Sequence, residues 1–235
     1  MAVRRAAGRR RARTVVAVGA ALLAGSACDS PTVPADTASY DPRFPGTSGE
    51  RLVYHWPLGR AIGVYVDPRG APAGLDLAAA VRDGGDHWAT VVFYREFTLR
   101  LVGDAAAADV IVHFDAAPPL LSPVCPSTAV IAGPAGVTTA CPDESRREFV
   151  PFEFADGQAS HVKMDVTISS DPAVVPNAAR LLTIVTHELG HVIGIGAHSP
   201  NNLDIMFGAP TERFPGAGDA RTLRWVLHQP VDLRL

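Results

Sequence analysis

Residues 187–198 read His-Glu-Leu-Gly-His-Val-Ile-Gly-Ile-Gly-Ala-His. His187 and His191 are spaced i, i+4, which on an α-helix puts both imidazoles on one face, one turn apart. Two such nitrogens bind a single Zn²⁺ at about 2.0–2.1 Å. Glu188 follows the first ligand directly. There its carboxylate reaches a water at the metal without being a ligand, and serves as a general base. With 8 His in 235 residues, this pattern arises by chance in roughly one such chain per hundred, so its surroundings must support it.

They do. Asn177 is a fitting N-cap for a helix running to about Ile193. Gly194 then supplies a helix stop. A third imidazole, His198, follows where a chain turning back reaches the same metal. Met206 comes shortly after, within Leu203-Asp204-Ile205-Met206-Phe207.

The whole stretch HELGHVIGIGAHSPNNLDIMF, residues 187–207, resembles the zinc-binding helix and Met-turn of the metzincin metalloproteases. It is most similar to the matrixins, whose motif is HExxHxxGxxH followed by Ser and a Met-turn. The strong likeness covers residues 183–207, and a weaker one covers 60–170. The resemblance implies a zinc endopeptidase with an α/β (α+β) fold. Its parts are a twisted, mixed five-stranded sheet, an active-site helix, a Met-turn and a C-terminal helix, with a cleft across the sheet's edge. His187, His191 and His198 would hold Zn²⁺, and Glu188 would be the catalytic base. Met206 would form an apolar floor under the imidazoles, and residues 207–210 would border a substrate pocket. Phe207 stands where matrixins often carry Tyr.

One departure matters. The family's third ligand falls at position 197, which is Ala197, and His198 is one residue late. Gly196 and Ala197 are small enough to absorb one residue in a bulge, so the ligand role is carried to His198. Other completions are Asp204, water, or Glu212, which lies between Pro210 and Pro215 in a segment unsuited to a helix.

Upstream, the sequence predicts strands at 61–66, 97–102, 109–114 and 161–168, with a further one at 128–132. A helix is expected from Leu75 to about Val92, with Gly84-Gly85 weakening its middle, and a last helix from Asp219 to about Leu227. A strand–helix–strand start favours a partly parallel sheet covered by helices. His55, His87, His113, His161 and His228 lack paired spacing and read as surface or satisfied core residues, although His113 and His161 could meet across the sheet at a second metal.

The N-terminus reads as an address. Residues 1–13 are Arg-rich, 14–24 are apolar, and Gly25, Ser26 and Ala27 are small, as in a secretory signal. Cys28 follows directly and resembles the acylated cysteine of a bacterial lipoprotein; the alternative is cleavage near Ala27 and release. Residues 28–50 read as a flexible tether, and 51–235 as the catalytic domain. Six of the 21 basic residues lie in the signal segment; without them 15 face 24 acidic ones, a net −9. Such an acidic chain is a poor nucleic-acid binder. In an exported protein the pair Cys125 and Cys141 favours a disulfide.

The expected protein is therefore a monomeric, exported zinc peptidase acting on protein or peptide substrates, touching membrane only through Cys28. A non-catalytic envelope lipoprotein on a decayed protease fold, and a zinc amidase acting on cell-wall peptides, are the competing readings. No cysteine precedes the domain within 29–50, so no cysteine-switch inhibition is expected.

Overall fold

Six strands assemble into the main sheet: β1 (Arg60–Asp67), β2 (Phe97–Val102), β3 (Val110–Phe114), β4 (Ala129–Ala132), β5 (Gly136–Ala140) and β6 (Met164–Ile168). The computed structural model describes residues 37–115, 120–122, 129–133 and 135–235. The sheet order is β2-β1-β3-β6-β5-β4. β1 pairs in parallel with β2 and β3, and β3 in parallel with β6. β5 then runs antiparallel to β6, and β4 antiparallel to β5. The sheet is thus mixed, but it has six strands rather than five, because the β4–β5 hairpin adds a strand at one edge.

Strict alternation explains how the sheet divides space. In β6, Met164, Val166 and Ile168 are buried on one face while Asp165 and Thr167 point to the other. The first face joins Ile62, Val64, Val110, Val112 and Phe114 in the main core, together with buried residues of all three helices. These helices, among the described residues, are α1 (Leu77–Ala89), α2 (Ala178–Ile193) and α3 (Ala217–Leu227). A smaller core on the opposite face gathers Ile111, Leu121, Phe152 and Val162.

α1 is shorter at both ends than its apolar spacing suggests. Asp76 caps it, accepting from the Ala79 amide at 2.8 Å. Gly84 and Gly85, read as a weak middle, are instead close-approach positions. A Cβ on Gly84 would sit 3.0 Å from Thr186 Oγ1, and one on Gly85 3.0 Å from Leu99 Cδ1. Their missing side chains let α1 lie directly on α2 and on β2.

Three further expectations need correction or placement. The packed chain begins ahead of residue 51: Tyr40 and Phe44, inside the stretch read as a tether, are buried, and the Tyr40 hydroxyl donates to Asp219 Oδ1 at 2.9 Å. An aromatic pair with buried partners has no reason to stay in solvent. Between residues 116 and 160, where the sequence predicts no strand besides 128–132, Pro142–Asp143 pairs with Glu148–Phe149, and Leu121–Ser122 with Glu153–Phe154. Cys141 is fully buried and engaged, while Cys125, the partner expected for it, lies outside the described residues, as do Cys28 and residues 1–27, read as a secretory signal. No helix among the described residues is long and apolar enough to cross a membrane.

Candidate metal centre

α2 presents the site. The Asn177 side chain accepts from the Arg180 amide at 2.9 Å and opens the helix as an N-cap. The helix closes at Gly194, whose φ of 133° disfavours any residue with a Cβ. There is no space for one either, since a Cβ would lie 2.7 Å from the Tyr54 carbonyl oxygen. The last turn is anchored from outside: Tyr54 OH donates to the His191 carbonyl at 2.5 Å and Trp56 Nε1 to the Val192 carbonyl at 2.8 Å. Trp88 Nε1 from α1 donates to the Thr186 carbonyl at 2.7 Å.

His187, His191 and His198 come together. Each offers one nitrogen, and these three atoms lie within 4.8 Å of one another. The ring centroids form a nearly equilateral triangle, with separations of 4.9, 5.1 and 5.2 Å. The one-residue displacement of His198 therefore does not take it out of reach. After Gly194 the chain leaves the helix, and the Ser199 amide bonds the Met206 carbonyl at 2.8 Å, which ties the segment carrying His198 to the Met206 loop. Neither Asp204 nor Glu212 belongs to this group. Asp204 is instead bonded to Ser199 Oγ at 2.6 Å.

The hydrogen bonds fix which nitrogens are available. His187 Nδ1 donates to the Ile205 carbonyl at 2.7 Å, and His191 Nδ1 to the Ile195 carbonyl at 2.6 Å. A neutral imidazole that donates from Nδ1 presents a lone pair at Nε2. The Nε2 atoms of His187, His191 and His198 are all buried and have no partner. Three buried, unpartnered ring nitrogens close together, two of them fixed as acceptors, are costly unless something positive sits between them. Burial also drives the rings to the neutral form that ligation requires. It pushes His187 down to about 4 and His191 well below the ordinary histidine range, and it lowers His198 as well. These three side chains are positioned to hold a metal ion.

Glu188 is buried beside them, and burial pushes its carboxyl up to about 8. Thr138 Oγ1, on β5, donates to Glu188 Oε2 at 2.6 Å. The other oxygen lies over bare backbone: a Cβ on Gly136 would stand 2.5 Å from Oε1. Met206 is fully buried. It packs on α2 where Gly190 leaves room, since a Cβ there would collide with Met206 Sδ and lie 2.7 Å from Trp88 Cζ2. The Met206 loop hangs from Asp219, whose carboxylate accepts from the amides of Ile205 at 2.7 Å, Met206 at 3.3 Å and Gly216 at 2.8 Å.

Thr138, Tyr54 and Asp219 were not singled out from the sequence. Thr138 and Tyr54 reach α2 from strands far away in the chain, and nothing near HExxH points to them. Asp219 carries a weak signal, an acid in the first turn of a helix. His113 and His161 do not meet at a metal. His113 Nδ1 bonds the Phe114 carbonyl at 2.8 Å and Nε2 pairs with Asp165 at 3.1 Å, while His161 is exposed.

No protein-family model matches this chain, and no curated protein sequence matches it.

Proposed function

We propose that this protein is a zinc-dependent endopeptidase of the metzincin type, nearest in plan to the matrixins. One observation carries the reading: three buried, partnerless Nε2 atoms on His187, His191 and His198 converge, and Glu188, the residue after the first of them, is buried as well. The donor set suits the ion, because three neutral imidazoles are a known catalytic zinc set that leaves a position open. Zn²⁺ held there supplies Lewis acidity toward a peptide carbonyl and toward water.

The protein's own groups do the rest. Glu188 Oε1, the oxygen not held by Thr138, takes a proton from the attacking water and delivers it to the leaving amine nitrogen. Thr138 fixes the carboxylate by holding Oε2 at 2.6 Å. The carbonyls of Ile205 and Ile195 hold the first two imidazoles in the ligating tautomer, as outer-shell acceptors do in metal sites. Met206 supports the imidazoles from below by packing at Gly190. The export signal supports a place outside the cytoplasm, with Cys28 acylated and the chain acting as a monomer on protein substrates.

The test is Glu188→Gln. The purified variant is expected to carry as much zinc as the wild type and to lose cleavage of an unfolded protein substrate. Undiminished cleavage by the variant would rule out the proposed role of Glu188.

A further inference from the structure

Residues 40–44 lie in the stretch read as a tether, yet they reach the groups standing behind all three imidazoles. The segment is fixed at both ends. Next to Tyr40, the Ser39 amide donates to Thr222 Oγ1 of α3 at 3.1 Å, and Arg221 Nε donates to Ser39 Oγ at 2.8 Å. At the other end Phe44–Pro45 pairs antiparallel with Arg51–Leu52. Between these ends run three connections to the metal centre.

The first passes through Tyr40, whose hydroxyl donates to Asp219 Oδ1 at 2.9 Å. Asp219 Oδ2 accepts from the Ile205 amide at 2.7 Å, and the Ile205 carbonyl accepts from His187 Nδ1 at 2.7 Å. Tyr40 and Asp219 are both buried, where a hydrogen bond is stronger than in water. The second passes through Gly196, whose amide donates to the Pro42 carbonyl at 2.7 Å. Gly196 follows Ile195, whose carbonyl accepts from His191 Nδ1 at 2.6 Å, and it stands two residues before His198. A Cβ on Gly196 would lie 2.8 Å from both Cα and N of Phe44. The backbone of the segment therefore rests directly on the bend that brings the late third imidazole into place. The third connection is aromatic. The Phe44 ring stands edge-on to Tyr54 at 6.4 Å, and the Tyr54 hydroxyl donates to the His191 carbonyl at 2.5 Å.

We propose that residues 40–44 are a positioning strap for the metal centre, acting through Asp219 and Gly196. An imidazole ligand is oriented by the carbonyl its other nitrogen meets. The two carbonyls concerned, of Ile205 and Ile195, and the bend before His198 all lie outside α2. Irregular segments hold a ligand geometry less tightly than helices do, unless something supports them. The strap supplies that support to both segments at once, so zinc affinity depends on it. The inference rests on the zinc reading of the three imidazoles and needs no peptidase activity.

Two measurements on the purified full chain test it. Zinc affinity is compared between wild type and Tyr40→Phe by competition with a chromogenic chelator, and hydrogen exchange of the strap amides is followed in the wild type with and without zinc. Tyr40→Phe keeps the ring, removes the donor, and is expected to weaken zinc binding about tenfold. Coupling between two sites is reciprocal, so zinc should slow exchange in the strap about fivefold or more. A strap with a merely structural role would lower the Tm of the metal-free variant and move neither quantity. Unchanged zinc affinity in folded Tyr40→Phe would overturn the proposal, and so would strap exchange indifferent to zinc. The exchange experiment decides alone if the variant does not fold. A wild type that takes up no zinc would be a different result, overturning the zinc reading and the strap's role with it.

Discussion

Thr138 Oγ1 donates to Glu188 Oε2 at 2.6 Å, joining the antiparallel hairpin at the sheet edge to the helix that carries the imidazoles. The bond crosses 50 residues of sequence and is buried at both ends. It leaves the other carboxylate oxygen unbonded and aims it. Thr138→Val keeps the shape and removes the donor. Peptidase activity is expected to fall about 10- to 100-fold with zinc content unchanged, and Thr138→Ser is expected to restore most of it. A purely structural Thr138 would give the opposite pattern, with Val tolerated and Ser impaired.

The position of the third imidazole tests the register. His198→Ala should weaken zinc binding by at least about tenfold, measured by competition with a chromogenic chelator. Moving the ring back by one residue, in the double variant Ala197→His with His198→Ala, should not restore it, because the chain after Gly194 presents residue 198 to the other two rings. Restored affinity in that variant would show that the loop has no fixed register.

Gly190 is expected to tolerate nothing larger. Alanine in mid-helix normally gains up to about 1 kcal/mol over glycine. Here its Cβ would strike Met206 Sδ and stand 2.7 Å from Trp88 Cζ2, an overpacking cost of about 1–3 kcal/mol. The clash wins, and Gly190→Ala should lower Tm. Adding Met206→Ala should recover part of the loss, so that the double variant is less destabilised than the two single effects combined. Calorimetry of the four proteins measures this.

His113 gives the fold a pH dependence that does not pass through the metal site. Burial pulls its pKa down, but the hydrogen bond and charge of Asp165 outweigh burial, and the net shift is upward. Asp67 adds to the rise and is itself held by Arg69 at 2.7 Å. A folded-state histidine pKa above the unfolded value stabilises fully below the unfolded value, and this contribution fades as pH rises through the folded one. The Tm deficit of His113→Gln relative to wild type should therefore be larger near about pH 5.5 than near about pH 8.5. A deficit that grows with pH would reverse the assignment.

Much of the site is legible in residues 187–206 because helical periodicity is local. His187 and His191 share a face by spacing alone, and Asn177 and Gly194 mark the ends of the helix that carries them. His198 needed more, since its ring direction depends on a non-helical segment. What could not be read was whatever arrives from elsewhere in the chain. Thr138 and Tyr54 look like ordinary strand residues until the sheet brings them to α2. Gly84-Gly85 misleads for the same reason: in isolation it weakens a helix, whereas against Thr186 and Leu99 it lets the helix approach closely. Five of the six strand runs of the main sheet were recognisable, but their order was not. The sixth strand, Gly136–Ala140, was not read at all, because Gly136-Val137-Thr138-Thr139-Ala140 has too little apolar alternation to stand out beside its neighbours. Tyr40 and Phe44 were lost among prolines and serines, because their burial depends on α3 and on the turn after Gly194.

The measurement closest to the central claim is X-ray absorption at the zinc edge of the purified protein, with metal content determined on the same sample. One zinc per chain is expected, with three imidazole nitrogens at about 2.0–2.1 Å. A protein that takes up no zinc, or a zinc surrounded by only two imidazoles, would contradict it.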